Sequence, residues 1–258
     1  MRPSRPLASA LLAVLTVGTG LALVAPAQAV SPVVAAGSAP LQALEVALNS
    51  PDEAPLAALL QSGPGLDPAE VQARRRSLRS QFPDLRWTVS AGSPTRDGQP
   101  TVMLRAGGTR RQGAAIYRLD AEQRLTLRSD GRHINAQTVL REQSLLRSGG
   151  EQAPPVSVLI PDTVLTGQRY DIDVIFDTPL DGALAAGGLV AVTPAQVAAM
   201  ESPSMELGAL GGGGLFKRVQ APLSPGSQTW AVLLVHPQGI VTATKRVRVV
   251  ADRAALTP

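Results

Sequence analysis

The chain has 258 residues, 44% of them apolar and 17% charged, with 24 Gly, 22 Pro and no Cys. That apolar content suffices for a buried core and argues against a wholly disordered chain. The absence of Cys excludes a disulfide scaffold and thiolate catalysis, and with only His133 and His236 no metal or other cofactor is expected. The formal charge is +4, carried almost wholly by Arg, since Lys217 and Lys245 are the two lysines. Three Phe, two Tyr and two Trp are scattered along the chain, so the clustered bases and stacking rings of a nucleic-acid surface are not expected.

Arg2 and Arg5 precede an uncharged stretch over 7–25, and Ala27-Gln28-Ala29 supplies a small-x-small cleavage signature. This is the order of a secretory signal peptide, read over 1–29. The alternative is a retained anchor, because the uncharged stretch approaches the ~20 residues needed to span a bilayer. Thr16, Gly18, Thr19 and Gly20 dilute it and Pro26 lies just before the cleavage signature, which favours cleavage. No later segment reads as transmembrane. An exported chain without Cys fits a bacterial periplasmic or secreted protein.

Residues 30–40, rich in Ala, Ser, Pro and Val, read as a flexible tether, and 253–258 as a tail. The run Ser148-Gly149-Gly150-Glu151-Gln152-Ala153-Pro154-Pro155 reads as a linker, because Gly and Pro block both helix and continuous strand. The expected domains are 41–147 and 156–252.

In the first domain, Leu41, Leu44, Ala47 and Leu48 share one helix face. Ser50 or Asp52 caps a second short helix bearing Leu56, Leu59 and Leu60, which Gly63-Pro64-Gly65 stops. Asp67-Pro68 opens a third helix over 71–82, with Arg74, Arg75, Arg76 and Arg79 expected on its solvated face. After Pro83 the period changes to two: Leu85, Trp87 and Val89 alternate with polar residues. Strands are predicted over 101–106, 114–119, 124–128 and from about 133 to 146. Helices first and an antiparallel meander after them make an α+β domain.

Phe82-Pro83-Asp84-Leu85-Arg86-Trp87-Thr88-Val89 resembles the first-strand entry of the polyketide-cyclase-like branch of the nuclear transport factor 2 superfamily. Leu56-Ala57-Ala58-Leu59-Leu60, Gly108-Thr109 with Gly113, Leu125-Thr126-Leu127, Asp130-Gly131-Arg132 and Ile134 resemble later pieces of that family in the same order. The resemblance covers about 41–147 and implies helices closing a cone of curved antiparallel sheet around a pocket. Enzymes of that family place an Asp, or an Asp–His or Tyr–Asp pair, in the pocket. Here Arg110 stands at the family's His position in the turn.

The second domain is strand and turn, with strands predicted over 156–160, 170–176, 188–192, 205–210, 215–219, 229–236 and 240–250. A short helix starts at Thr193-Pro194 and ends near Met200, and 236–239 turns a hairpin. Seven short strands suggest a β-sandwich resembling an immunoglobulin-like fold in pattern, in which Trp230 is a packing residue.

No acid–base pair is legible, so no catalytic residue is assigned. Within the cone, Trp87, Tyr117 and Glu142 are the candidate ligand-binding residues, Glu142 being the carboxylate of the long last strand. His133 and His236 sit at turns, and the glycine run 208–214 lacks the Lys-Ser/Thr and following helix of a phosphate loop. The expectation is a non-enzymatic exported bacterial protein that binds an envelope protein or a small apolar ligand. The alternatives are an isomerase- or cyclase-type enzyme in the cone, or a structural spacer that forms a homodimer.

Overall fold

The computed structural model describes residues 38–149 and 153–256, so the expected leader over 1–29, the expected tether up to 37, residues 150–152 of the expected linker and 257–258 of the expected tail lie outside the described residues. Three helices come first: α1 (Ser38–Asn49), α2 (Ala54–Leu59) and α3 (Pro68–Gln81). The Asp67 carboxylate accepts the backbone N–H groups of Ala69 at 2.9 Å and Glu70 at 3.4 Å, and Pro68 occupies a position that needs no N–H. An antiparallel meander follows: β1 (Arg86–Gly92), β2 (Thr101–Gln112), β3 (Ala115–Ser129) and β4 (Ile134–Ser148). The two strands expected over 114–119 and 124–128 are one strand, β3. β2 runs on through Gly108-Thr109, so the chain reverses only at Gly113, whose φ is +60°.

The second half contains β5 (Val156–Leu159), β6 (Thr163–Leu165), β7 (Arg169–Phe176), β8 (Ala186–Val192), α4 (Pro194–Ala199), β9 (Gly208–Ala209), β10 (Gly214–Gln220), β11 (Gly226–His236) and β12 (Gly239–Val250). Thr193 and Gln196 form a capping box on α4. The strand expected over 205–210 shrinks to the two residues of β9, and β6 has no counterpart among the expected strands.

The fold class corrects the expectation. Strand accounts for 50% of the structure and helix for 18%. A single large sheet has the order β1-β2-β3-β4-β12-β11-β8-β9, antiparallel along that path, and β6 joins β12 in parallel. This is neither a cone closed by helices nor a meander followed by a separate immunoglobulin-like sandwich. The physical reason lies at β4. Its outer edge pairs with β12 over six residues, from Glu142 opposite Arg246 to Arg147 opposite Val241, so the sheet continues instead of curling shut. Buried polar groups hold this seam: the Ser144 and Thr244 hydroxyls are 2.6 Å apart, and the Ile240 N–H donates to Ser148 Oγ at 3.0 Å.

The large sheet is covered on opposite faces in its two halves. α1–α3 pack on β1–β4 through Leu48, Leu56, Val71, Leu78, Phe82, Trp87, Leu104 and Leu119. The second sheet, β10-β7-β5, packs on the other face of β12 and β11, where Ile172, Val174 and Phe176 share a core with Trp230, Val232, Leu234, Val247 and Val249. Two neighbours on β4 show the switch of face: Leu146 belongs to the helix-side core, whereas Leu145 packs against the sandwich-side core. Inside the sandwich, Trp230 Nε1 donates to the Tyr170 hydroxyl, which donates to Gln228 Oε1, each at 2.8 Å.

α1 also protects an edge. Asn49 Nδ2 donates to the Trp87 carbonyl at 2.8 Å, Asn49 Oδ1 accepts the Trp87 N–H at 3.0 Å, and Glu45 Oε2 accepts the Val89 N–H at 2.8 Å. The two side chains act as a substitute strand along β1, whose polar groups would otherwise template association.

Candidate functional site

Between the helices and β2–β4 lies an apolar cavity of about 30 Å³. Leu44, Leu48, Leu56, Leu60, Leu66 and Val71 line it from the helical side, and Val102, Leu104, Leu125, Leu127 and Ile134 from the sheet. Gln137 is the single polar lining residue, and its buried Nε2 has no hydrogen-bond partner among the described residues. The loop Gly63-Pro64-Gly65 closes over β4 beside it. The Gln137 N–H donates to the Pro64 carbonyl at 3.1 Å, and Gln61 N–H donates to the Ile134 carbonyl at 2.9 Å. A Cβ on Gly63 would lie 1.9 Å from the Asn135 carbonyl oxygen, and Gly65 has φ of +69°, so this close approach needs both glycines.

The three sequence candidates do not converge. Trp87 and Tyr117 are buried in the helix-side core, and neither lines the cavity. Tyr117 lies opposite Arg110, whose guanidinium sits 5.2 Å from the Tyr117 ring and 5.5 Å from the Phe82 ring. Arg110 is a half-buried cation packed between rings, with its pKa lowered by burial. Along β3, Tyr117 is six residues from Gln123, the partner of Glu142, a separation of about 20 Å at strand rise.

Glu142 occupies a buried polar seam. It lies between Gln123 on β3 and Arg246 on β12, with its side chain 9% exposed and Oε2 3.7 Å from Arg246 Nη1. At that distance the carboxylate and guanidinium attract without a hydrogen bond, and Oε2 has no hydrogen-bond partner among the described residues. Burial pushes the carboxyl up to about 7, against the opposing pull of Arg246 and Arg74. Glu142, a candidate ligand-binding residue in the sequence, is thus buried in the seam and ion-paired with Arg246.

The arginine run also departs from expectation. Arg74 and Arg75 are 2% and 3% exposed, not solvated. Arg74 Nη2 pairs with Glu70 at 2.5 Å and reaches the Val197 carbonyl of α4 at 3.3 Å, tying the two halves together. Arg75 donates to the Leu48 carbonyl at 2.9 Å and to the Ser50 carbonyl, and Arg79 donates to the Ser50 and Asn49 carbonyls. These guanidiniums satisfy the orphan carbonyls at the end of α1, where cations also complement the helix dipole. Burial, with Arg79 close by, lowers the Arg75 pKa. Arg76 stays exposed on Glu53.

Of the remaining sequence candidates, His133 lies beside Asp130 at a turn, and the Asp130 carboxylate is held down to about 2 by the His133 and Arg132 N–H groups. His236 stacks on Phe176 at 5.6 Å. Among the described residues no group of His, Asp and Glu is placed to hold a metal ion, and no helix is long and apolar enough to cross a membrane.

The fold and cavity define a mostly β protein with a helix-covered apolar pocket. Residues 151–250 match the family model of a domain of unknown function (DUF8623), a region that runs from β5 to the end of β12. No curated protein matches the chain.

Proposed function

We propose that the protein is a non-enzymatic binding protein of the bacterial envelope, periplasmic or secreted, that holds a small apolar molecule between α1–α3 and β2–β4. The observation that carries this reading is an aliphatic cavity with one unpaired buried donor, Gln137 Nε2. Leaving such a donor unpaired costs about 1–3 kcal/mol, which a ligand carbonyl or hydroxyl oxygen recovers. The eleven aliphatic walls fix an apolar body, and the amide selects a single acceptor on it. A volume of about 30 Å³ admits a water or two, so a larger occupant requires α2 and the 63–65 loop to swing off the sheet. The signal-peptide-like sequence pattern of 1–29 supports the compartment.

The test uses N-phenyl-1-naphthylamine, whose fluorescence rises in an apolar site. Saturable enhancement is expected, weakened about tenfold by Leu104→Phe, which fills the cavity while circular dichroism confirms the fold. No enhancement, or equal enhancement in the variant, refutes the reading.

A further inference from the structure

The face of β1–β4 opposite the helices carries rows of arginines, and loop 95–99 and residues 254–255 border one end of it. Strand alternation puts Arg86, Arg105, Arg118, Arg124, Arg141 and Arg147 on it, each next to a buried residue of the helix-side face. Lys245 of β12 lies beside them at the seam, buried and paired with Asp162. Three carboxylates answer these seven cations. Glu122 pairs with Arg141 at 3.1 Å and Arg105 at 3.8 Å, Asp120 pairs with Arg147 at 3.0 Å and Arg118 at 3.7 Å, and Asp162 serves Lys245 and Arg141.

A groove of about 450 Å³ runs over this face, lined by Arg105, Gly107, Asp120, Glu122, Gln143 and Leu145. We propose that it is the docking surface for an acidic polysaccharide of uronic-acid type. Carboxylates of such a chain meet the outer guanidiniums of Arg86, Arg105 and Arg118, and its hydroxyls donate to Asp120, Glu122 and the Gln143 amide oxygen. The mixed lining chooses this partner over two others. A polyphosphate has no donors for Asp120 and Glu122, which repel it, and a nucleic acid finds no ring to stack on because Trp87 and Tyr117 are buried on the other face. A lipid surface is disfavoured because, among the described residues, Ile116 is the one large exposed apolar side chain on this face, whereas Leu184, Leu223 and Phe216 belong to the second half of the chain.

The test is calorimetric titration of the mature chain with alginate oligomers at low salt. Dextran, polyphosphate and phosphatidylglycerol vesicles are titrated alongside. Alginate binding that weakens with added salt is expected, reduced about tenfold in Arg86→Gln/Arg105→Gln/Arg118→Gln. These side chains are exposed, and unchanged thermal melting confirms the fold of the variant. A charge-matched control, Arg76→Gln/Arg132→Gln/Arg169→Gln, which removes exposed arginines of α3, the β3–β4 turn and β7, is expected to bind as the parent does. The proposal is overturned if alginate does not bind, if both triple variants lose binding equally, or if polyphosphate or the vesicles bind more tightly.

Discussion

Replacing Glu142 by Gln tests the buried seam between β4 and β12. The folded chain raises this carboxyl from 4.5 to about 7, so the native state holds the proton more tightly than the unfolded chain does. The stability this contributes is fully present below about pH 4.5 and is lost as pH rises through about 7. The difference of some 2.5 units corresponds to about 3 kcal/mol as an upper limit. The attraction of Arg246 and Arg74 is already contained in that value, so an uncharged Gln mimics the protonated state without a further charge penalty. Urea unfolding of both proteins at pH 4.5, 6 and 8 reads the effect. The two should be similar at pH 4.5, and the Gln variant should be more stable by up to about 3 kcal/mol at pH 8. Parallel profiles, or a wild type that alone gains stability towards pH 8, would show that Glu142 is not buried as described.

Arg75→Met removes the guanidinium that satisfies the α1 carbonyls while keeping the stem volume, and should cost about 2–4 kcal/mol in denaturant unfolding; a loss below 0.5 kcal/mol, the ordinary surface range, contradicts the clip. Gly63→Ala forces a methyl into the Asn135 carbonyl and should cost at least about 2 kcal/mol by the same assay, with faster amide exchange at Gln61 and Gln137. Asn49→Ala bares the edge of β1 and should lower stability by about 1–2 kcal/mol while promoting concentration-dependent association by light scattering.

The elements themselves were largely legible, because each carries its own period and punctuation. Asp67-Pro68 marks the start of α3, and Leu85, Trp87 and Val89 mark β1 by alternation. The architecture was not legible, because its deciding contact joins β4 to β12 across about a hundred residues. The side chains on that seam, Glu142, Ser144, Thr242, Thr244 and Arg246, are types that ordinarily face water, so the strand edge reads as solvated. α3 misleads in the same way. Val71, Arg74, Arg75 and Leu78 follow the spacing of a buried face, but two arginines occupy it because the carbonyls ending α1 need donors there. The cavity walls were visible as helix and strand apolar positions, whereas Gln137 offered no signal: a polar residue in a strand is unremarkable until its amide is seen without a partner.

The claim on which this account rests is that the leucine-walled cavity accepts an apolar guest. Methyl NMR of leucine-labelled protein, titrated with N-phenyl-1-naphthylamine, addresses it directly. The account predicts shifts concentrated in Leu44, Leu48, Leu56, Leu66, Leu104 and Leu125. Shifts confined to the exposed Leu184 and Leu223, or none at all, would contradict it.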